Sequence, residues 1–113
     1  MTAQGSAYTR FKRAIERKNL VGAEMTLRAM RSVSLLEALD YLALLAEVRP
    51  ERTAPAAIRW HARLEFEAAN LTLAESQLAL AALANLCSGD REAVTILRRL
   101  VRTARPALIR RFD

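Results

Sequence analysis

His61 is the one histidine in the chain, and its imidazole is the group best suited to acid–base chemistry near neutral pH. At helical spacing it shares a face with Trp60 and Leu64. No Ser or Cys lies within one helical turn of His61, so the local sequence supplies no nucleophile for it to activate. The pattern therefore favours a hydrogen-bonded histidine in or beside the core over a general base. We expect the protein not to be an enzyme.

Groups that bind metal ions are few and widely spaced. Cys87 is the only cysteine, and it shares a helical face with Leu80 and Ala84, which favours packing over reactivity. One His and one Cys do not complete a tetrahedral zinc site, and the chain has no Glu-x-x-His pair of the di-iron type. We therefore expect no metal and no other cofactor. Carboxylates form an acidic stripe on the third predicted helix, which consists of Glu37, Asp40, Glu47 and Glu51.

Arginines form two regular groups, one near each end of the chain. The last predicted helix carries five on one arc and the first carries three on one face: Arg91, Arg98, Arg99, Arg102 and Arg105, and Arg10, Arg13 and Arg17. Guanidinium groups suit phosphate, but few neighbouring polar or aromatic side chains are available to read bases. The arginines therefore predict nucleic-acid binding without sequence preference, a solvated face, or pairing with the acidic stripe.

Phe66 lies on the polar side of the fourth predicted helix. At helical spacing it shares that side with Arg59 and Arg63, opposite Trp60 and His61. An aromatic side chain between arginines is typical of a protein contact surface. We therefore predict that Phe66, Arg59 and Arg63 bind another protein chain or a second copy of this one.

The composition bounds the class of protein. The chain has 113 residues, of which 52% are hydrophobic and 27% are charged, with three Gly and three Pro. This length fits one domain, and so few turn residues argue against an all-β fold. The net charge of +6 divides into +5 for residues 1–33, −4 for residues 34–90 and +5 for residues 91–113. The basic ends are therefore suited either to fold against the acidic middle or to contact a polyanion.

The sequence contains no segment typical of export or membrane insertion. Residues 1–6 lack the apolar stretch of a signal peptide. The longest uncharged run, residues 76–89, has 14 residues, fewer than the roughly 18 of a membrane span. A single cysteine cannot form an internal disulfide, which fits a reducing compartment. We expect a cytoplasmic protein that does not bind a membrane.

Helical periodicity and end signals predict six helices, at about residues 6–18, 20–31, 35–48, 55–68, 73–88 and 91–105. Capping-box spacing occurs at the starts of the third and fifth helices, as Ser34 with Glu37 and Thr72 with Glu75. Gly89 follows the fifth helix, where glycine commonly ends a helix. Because the connections are short, we expect neighbouring helices to be antiparallel.

The third and fifth helices belong to a diffuse internal repeat with an offset of 38 residues, in which residues 42–46 align with residues 80–84. Repeats of this kind are typical of stacked helical hairpins. Both helices are apolar nearly all round, so we expect them at the centre, with Leu42 and Leu80 in the core. The first, fourth and sixth helices carry polar faces and should lie outside.

Two resemblances accompany this pattern. The sequence FKRAIERKN at residues 11–19, followed by Ala23 and Glu24, resembles the helix-turn-helix joint of tetratricopeptide-like repeats. It covers one joint, without the Trp, Gly, Tyr and Pro spacing of a full repeat. The chain is also similar to small uncharacterised actinobacterial all-helical proteins, chiefly at residues 19–20, 34–39 and 57–63. This second resemblance implies an all-helical fold and no particular activity.

These patterns predict an all-α fold, with one domain of five or six short antiparallel helices stacked as helical hairpins. The domain spans residues 1–113, and residues 1–6 and 106–113 are expected to be loosely ordered. We expect a non-enzymatic protein-interaction or adaptor domain. The alternative is a sequence-nonspecific nucleic-acid-binding protein that uses the arginines of the first and last helices.

Overall fold

The chain folds into six α-helices, as the periodicity predicts. A computed structural model describes residues 3–105, and this part of the chain contains no strand. Residues 1–2 and 106–113, which belong to the segments expected to be loosely ordered, lie outside the described range. A short 3-10 helix at Pro50–Arg52 precedes the fourth α-helix. The α-helices are α1 (Ala3–Glu16), α2 (Leu20–Ala29), α3 (Leu35–Val48), α4 (Thr53–Glu67), α5 (Leu73–Cys87) and α6 (Ala93–Thr103).

Capping side chains fix where α3 and α5 begin. The Ser34 hydroxyl accepts from the Glu37 amide, and the Glu37 carboxylate accepts from the Ser34 amide at 2.8 Å. Thr72 and Glu75 form the same capping box at the start of α5. After α5, Gly89 adopts a φ of 101°, a conformation that side chains disfavour. Both predicted capping boxes and the glycine stop are therefore confirmed.

The helices form three antiparallel hairpins: α1–α2, α3–α4 and α5–α6. The second and third hairpins close into a four-helix bundle, because α3 packs against α4 and α6, and α5 packs against the same two helices. The first hairpin packs against α3. As a result, the α1–α2 hairpin lies on the side of the bundle diagonally opposite α5.

The two apolar helices of the internal repeat have different surroundings. α3 is central, as predicted, because it is covered by α1 and α2 as well as by its bundle neighbours. The prediction that α5 is central is wrong. Leu42 in α3 is 1% exposed, whereas Leu80, its counterpart 38 residues later, is 49% exposed. No second hairpin covers α5 within the described residues, so part of its apolar surface faces solvent.

The core joins all six helices. Phe11 of α1, Leu39 of α3, Leu64 of α4 and Leu97 of α6 have no exposed surface. Trp60 packs among them and donates its indole N–H to the Leu35 carbonyl at 3.0 Å, which ties α4 to the first turn of α3. Burial of aliphatic and aromatic side chains is the main favourable contribution to this fold.

A polar contact ties the first hairpin to α3. The Tyr41 hydroxyl donates to Glu24 Oε2 at 2.6 Å, and Arg52 Nη2 donates to the same oxygen at 2.9 Å. The hydrogen bond from Tyr41, together with the hydrogen bond and charge of Arg52, lowers the pKa of Glu24. Burial and the neighbouring Glu24 carboxylate raise the pKa of Tyr41 to about 12. The contact therefore favours an ionised Glu24 and a neutral Tyr41.

Replacing Glu24 by Gln should reduce the free energy of unfolding at pH 7 by about 1 kcal/mol. Since the folded-state pKa of Glu24 lies below its ordinary value of 4.5, its contribution is complete above pH 4.5 and is lost as the pH falls through the folded-state value. Urea unfolding of both proteins across this range measures the difference. Exposed Glu51, replaced by Gln, is the matched control. A difference for Glu24→Gln that is undiminished in acid would contradict this role.

Candidate interaction surface

The polar cluster between α4 and α5 contains His61, Ser76 and Glu65. His61 Nε2 lies 3.0 Å from Ser76 Oγ and 3.3 Å from the Ser76 carbonyl oxygen. The Ser76 hydroxyl donates to Glu65 Oε2 at 2.7 Å. Ser76 lies 15 residues from His61, so sequence spacing around the histidine does not reveal the contact. Packing thus brings a hydroxyl, an imidazole and a carboxylate together, the groups that nucleophilic catalysis uses.

The hydrogen bonds of this cluster run in the opposite direction to those of an activated serine. An activating base accepts the serine proton, but the Ser76 hydroxyl donates to Glu65 and therefore accepts from His61. The Ser76 carbonyl, which can only accept, also faces His61 Nε2, so we assign the hydrogen to Nε2. Both residues are buried. The cluster therefore links α4 to α5, which supports a structural role for His61.

The solvent side of α5 is unusually apolar. Leu73 is 85% exposed, and Leu78 and Leu80 are about half exposed. The helix turns Ala79 and Leu83 towards the bundle, yet residues 76–89 contain no charged side chain on either side. An outer helix normally carries charged residues on its solvent side. Clustered apolar exposure of this kind is typical of a surface that contacts another macromolecule.

The neighbouring helix α4 continues this apolar surface. Ile58 is 69% exposed and Phe66 is 85% exposed, with exposed Ala62 between them at four-residue spacing. His61 and Glu65 contact Ser76 and therefore mark the edge of α4 that faces α5. At 3.6 residues per turn, Ile58 and Ala62 lie next to that edge, whereas Phe66 lies farther round the helix, at the side of the solvent-exposed surface away from α5.

The spacing of 3.6 residues per turn also identifies the side chains of α5 that lie next to α4. Ser76 faces α4, and the exposed residues nearest to its side of the helix are Leu73, Gln77, Leu80 and Ala84. Together the two helices present a largely apolar surface, and the half-exposed carboxylate of Glu65 lies between its α4 and α5 parts. We term it the α4–α5 face and define it by Ile58, Ala62, Glu65, Phe66, Leu73, Gln77, Leu80 and Ala84.

The residues predicted as a contact surface on α4 have different environments. Phe66 and Arg59 are exposed. Arg63 Nη2 donates to the Val33 carbonyl at 2.8 Å, and its Nε donates to Glu67 at 2.7 Å, so this side chain ties α4 to the segment before α3. Arg59 lines a shallow cleft beside α3, away from α5. Phe66 is therefore the member of the set that lies on the α4–α5 face.

Two of the arginines predicted on the last helix make internal ion pairs. Arg98 Nη2 lies 2.7 Å from Asp40 Oδ1, and Arg91 pairs with Glu47. Glu47 also accepts from Lys18 Nζ at 2.7 Å, and the hydrogen bond from Lys18, together with the charge of Arg91, lowers the pKa of Glu47. Asp40 and Glu47 of the acidic stripe therefore pair with Arg98 of α6 and with Lys18 and Arg91, which lie just after α1 and just before α6.

The remaining arginines of the two groups do not face a common side. A polar cleft of about 510 Å³ separates α1 from α6, and α1 contributes Tyr8 and Lys12 to it, opposite Arg98 and Arg102. Helical spacing puts the α1 arginines on the other side of that helix. Within residues 3–105, no carboxylate pairs with Arg10, Arg13, Arg17, Arg99, Arg102 or Arg105.

The part of the chain that the structure describes contains no cluster of metal-binding side chains. No set of three or more His, Cys, Asp or Glu side chains within it has the arrangement to hold a metal ion. Cys87 is half-buried and packs against the core. Its surroundings are those expected of a packing residue.

Comparison of the chain with protein-family models, curated proteins and solved structures finds no match. Among residues 3–105, no helix combines the length and the apolar character that crossing a membrane requires. Function is therefore inferred from the side chains and their geometry.

Proposed function

We propose that the protein is a non-enzymatic protein-interaction domain whose docking surface is the α4–α5 face. The observation that carries this proposal is the exposure of Ile58, Phe66 and Leu73, at 69%, 85% and 85%. Burial of apolar surface favours association by roughly 25 cal/mol per Å². Large side chains that lose little area on folding retain this free energy for binding a partner.

The way α4 and α5 are held supports the same function. The buried His61–Ser76 contact fixes the two helices relative to each other, and Arg63 fixes α4 to the segment before α3. A surface that is already ordered loses little conformational entropy when a partner binds. The face is therefore organised before any contact is made.

A polyanion-binding role has less support. Arg91 and Arg98 have their charges partly compensated by carboxylates of α3. The α1 arginines, which pair with no carboxylate among residues 3–105, lie on the other side of α1 from the polar cleft, and Glu37 and Asp40 line that cleft beside its cations. Affinity for nucleic acid increases with the number of phosphates contacted at once, and dispersed cations contact few. A single cysteine suits a reducing compartment, so we propose a cytoplasmic location.

Site-specific photo-crosslinking in cells tests the proposed docking surface. A benzophenone side chain in place of Phe66 should give adducts with protein chains when the cells are irradiated. The same probe in place of Met25, which is 62% exposed on α2, is the matched control and should give few or none. Mass spectrometry identifies the adducts. Equal labelling from both positions, or adducts with nucleic acid alone from position 66, would refute the proposal.

A further inference from the structure

The shallow cleft between α3 and α4 lies on the side of α4 that faces away from α5. We term it the α3–α4 cleft. Its volume is about 370 Å³, at the small end of the range for sites that bind small molecules. The buried Leu42 and Trp60 and the half-buried Ala38, Tyr41 and Ala56 line it. Most of the lining is therefore apolar.

The two aromatic side chains of the cleft present apolar ring surface to it. The Trp60 indole N–H donates to the Leu35 carbonyl at 3.0 Å, and the Tyr41 hydroxyl donates to Glu24 at 2.6 Å. Because these polar ends already have partners, the rings are left to contact an apolar group. The aromatic side chains therefore favour an occupant with an apolar body.

Arg59 and Arg63 supply the charge of the cleft. The carboxylates that contact its lining side chains, Glu24 and Glu67, are each paired with an arginine other than Arg59. Arg59 is exposed, and its guanidinium makes no hydrogen bond or ion pair within residues 3–105. The cleft therefore has an uncompensated positive charge at its rim.

Side-chain contacts bound the cleft at both ends. At one end, Arg63 Nη2 reaches from α4 to the Val33 carbonyl, before α3, at 2.8 Å. At the other, Glu24 of α2 accepts from Tyr41 of α3 and from Arg52, which precedes α4. A cleft bounded in this way fits a compact molecule better than an extended peptide. Since a water molecule takes up about 30 Å³, we expect a ligand of about ten non-hydrogen atoms.

We infer that the α3–α4 cleft binds a small organic monoanion, in which an apolar ring or short alkyl group bears one carboxylate. The apolar body displaces water from Trp60 and Leu42, and the carboxylate pairs with the guanidinium of Arg59. One unpaired arginine matches one negative charge. The cleft and the α4–α5 face lie on different sides of α4, so this inference does not depend on the proposed function.

An NMR titration of the full-length chain with phenylacetate tests the site. Phenylacetate has the expected size and one carboxylate, and phenylacetamide is its neutral counterpart. We expect a dissociation constant of about 1 mM for phenylacetate. Phenylacetamide should bind about fivefold more weakly, because it has no charge to pair with Arg59. The largest shifts should occur at Ala38, Ala56 and the indole N–H of Trp60, which is the only tryptophan and so gives an unambiguous signal.

Substitution of Arg59 identifies the group that binds the carboxylate. Arg59→Gln should weaken phenylacetate binding about fivefold and leave phenylacetamide binding unchanged. The matched control is Arg99→Gln, which removes the same charge from an exposed arginine of α6 and should change neither affinity. Circular dichroism confirms that both variants are folded.

Four outcomes would overturn the site. These are no saturable shift of the Trp60 indole N–H at about 20 mM phenylacetate, shifts confined to another surface, equal affinity for the acid and the amide, and equal losses in the two variants. The last would show that phenylacetate responds to the net charge of the chain and not to Arg59. Crosslinking through position 66 in cells tests the proposed function separately.

Discussion

Replacing Leu42 by Ala should lower the free energy of unfolding by about 2–5 kcal/mol, whereas the same substitution at Leu80 should cost about 1 kcal/mol or less. Leu42 is 1% exposed in α3, so its truncation removes buried contacts and leaves a cavity. Leu80 is 49% exposed in α5, so solvent fills most of the vacated space. The high helix propensity of Ala offsets part of either loss.

Urea unfolding of the two variants and the wild-type chain measures both losses. The two positions are internal controls for each other, because they hold the same residue at corresponding points of the repeat. Equal losses of about 2 kcal/mol or more would show that both helices are central and would refute the outward position of α5. Two negligible losses would show that α3 is not central.

Replacing Phe11 by Ala should cost about 3–5 kcal/mol. Phe11 has no exposed surface and belongs to the face of α1 that packs into the core, so its loss removes the main anchor of the α1–α2 hairpin. Tyr8→Ala is the matched control, because Tyr8 is 41% exposed on the same helix and should cost about 1 kcal/mol or less.

Hydrogen exchange distinguishes local from global effects of the Phe11 variant. We expect the amides of α1 and α2 to lose protection first, since the hairpin joins the four-helix bundle through α3. Loss of protection that begins in α5 or α6 while α1 stays protected would contradict the position of Phe11 as the anchor of the first hairpin.

The helix boundaries follow closely from the sequence because the signals that set them act over a few residues. Ser34 and Thr72 cap α3 and α5 through side chains three positions away. α3 ends at Val48, just before Pro50, where the proline ring prevents its continuation. The six-helix, all-α fold therefore needs no information about distant contacts.

The candidate site was only partly predictable from the sequence, because it depends on contacts between residues that are far apart in the chain. The position of Phe66 on the polar side of a helix predicts that its side chain is exposed, and in the structure it is 85% exposed. Leu80 is misassigned to the core, because apolar residues all round a helix do not indicate whether another helix will cover it. The contacts of His61 with Ser76 and of Arg98 with Asp40 join residues 15 and 58 positions apart, beyond any local pattern.

By itself the sequence determined that the chain forms six amphipathic or apolar helices, because capping, proline stops and periodicity are properties of short segments. It also showed an acidic middle and two basic ends, without deciding whether these charges pair with each other or contact a polyanion. The tertiary structure decided that the first hairpin covers α3 and that the outer side of α5 stays exposed to solvent. α3 and α5 are similar in sequence, and a hairpin that packs on one cannot also bury the other. Because the first hairpin packs on α3, the outer side of α5 stays uncovered and forms part of the α4–α5 face.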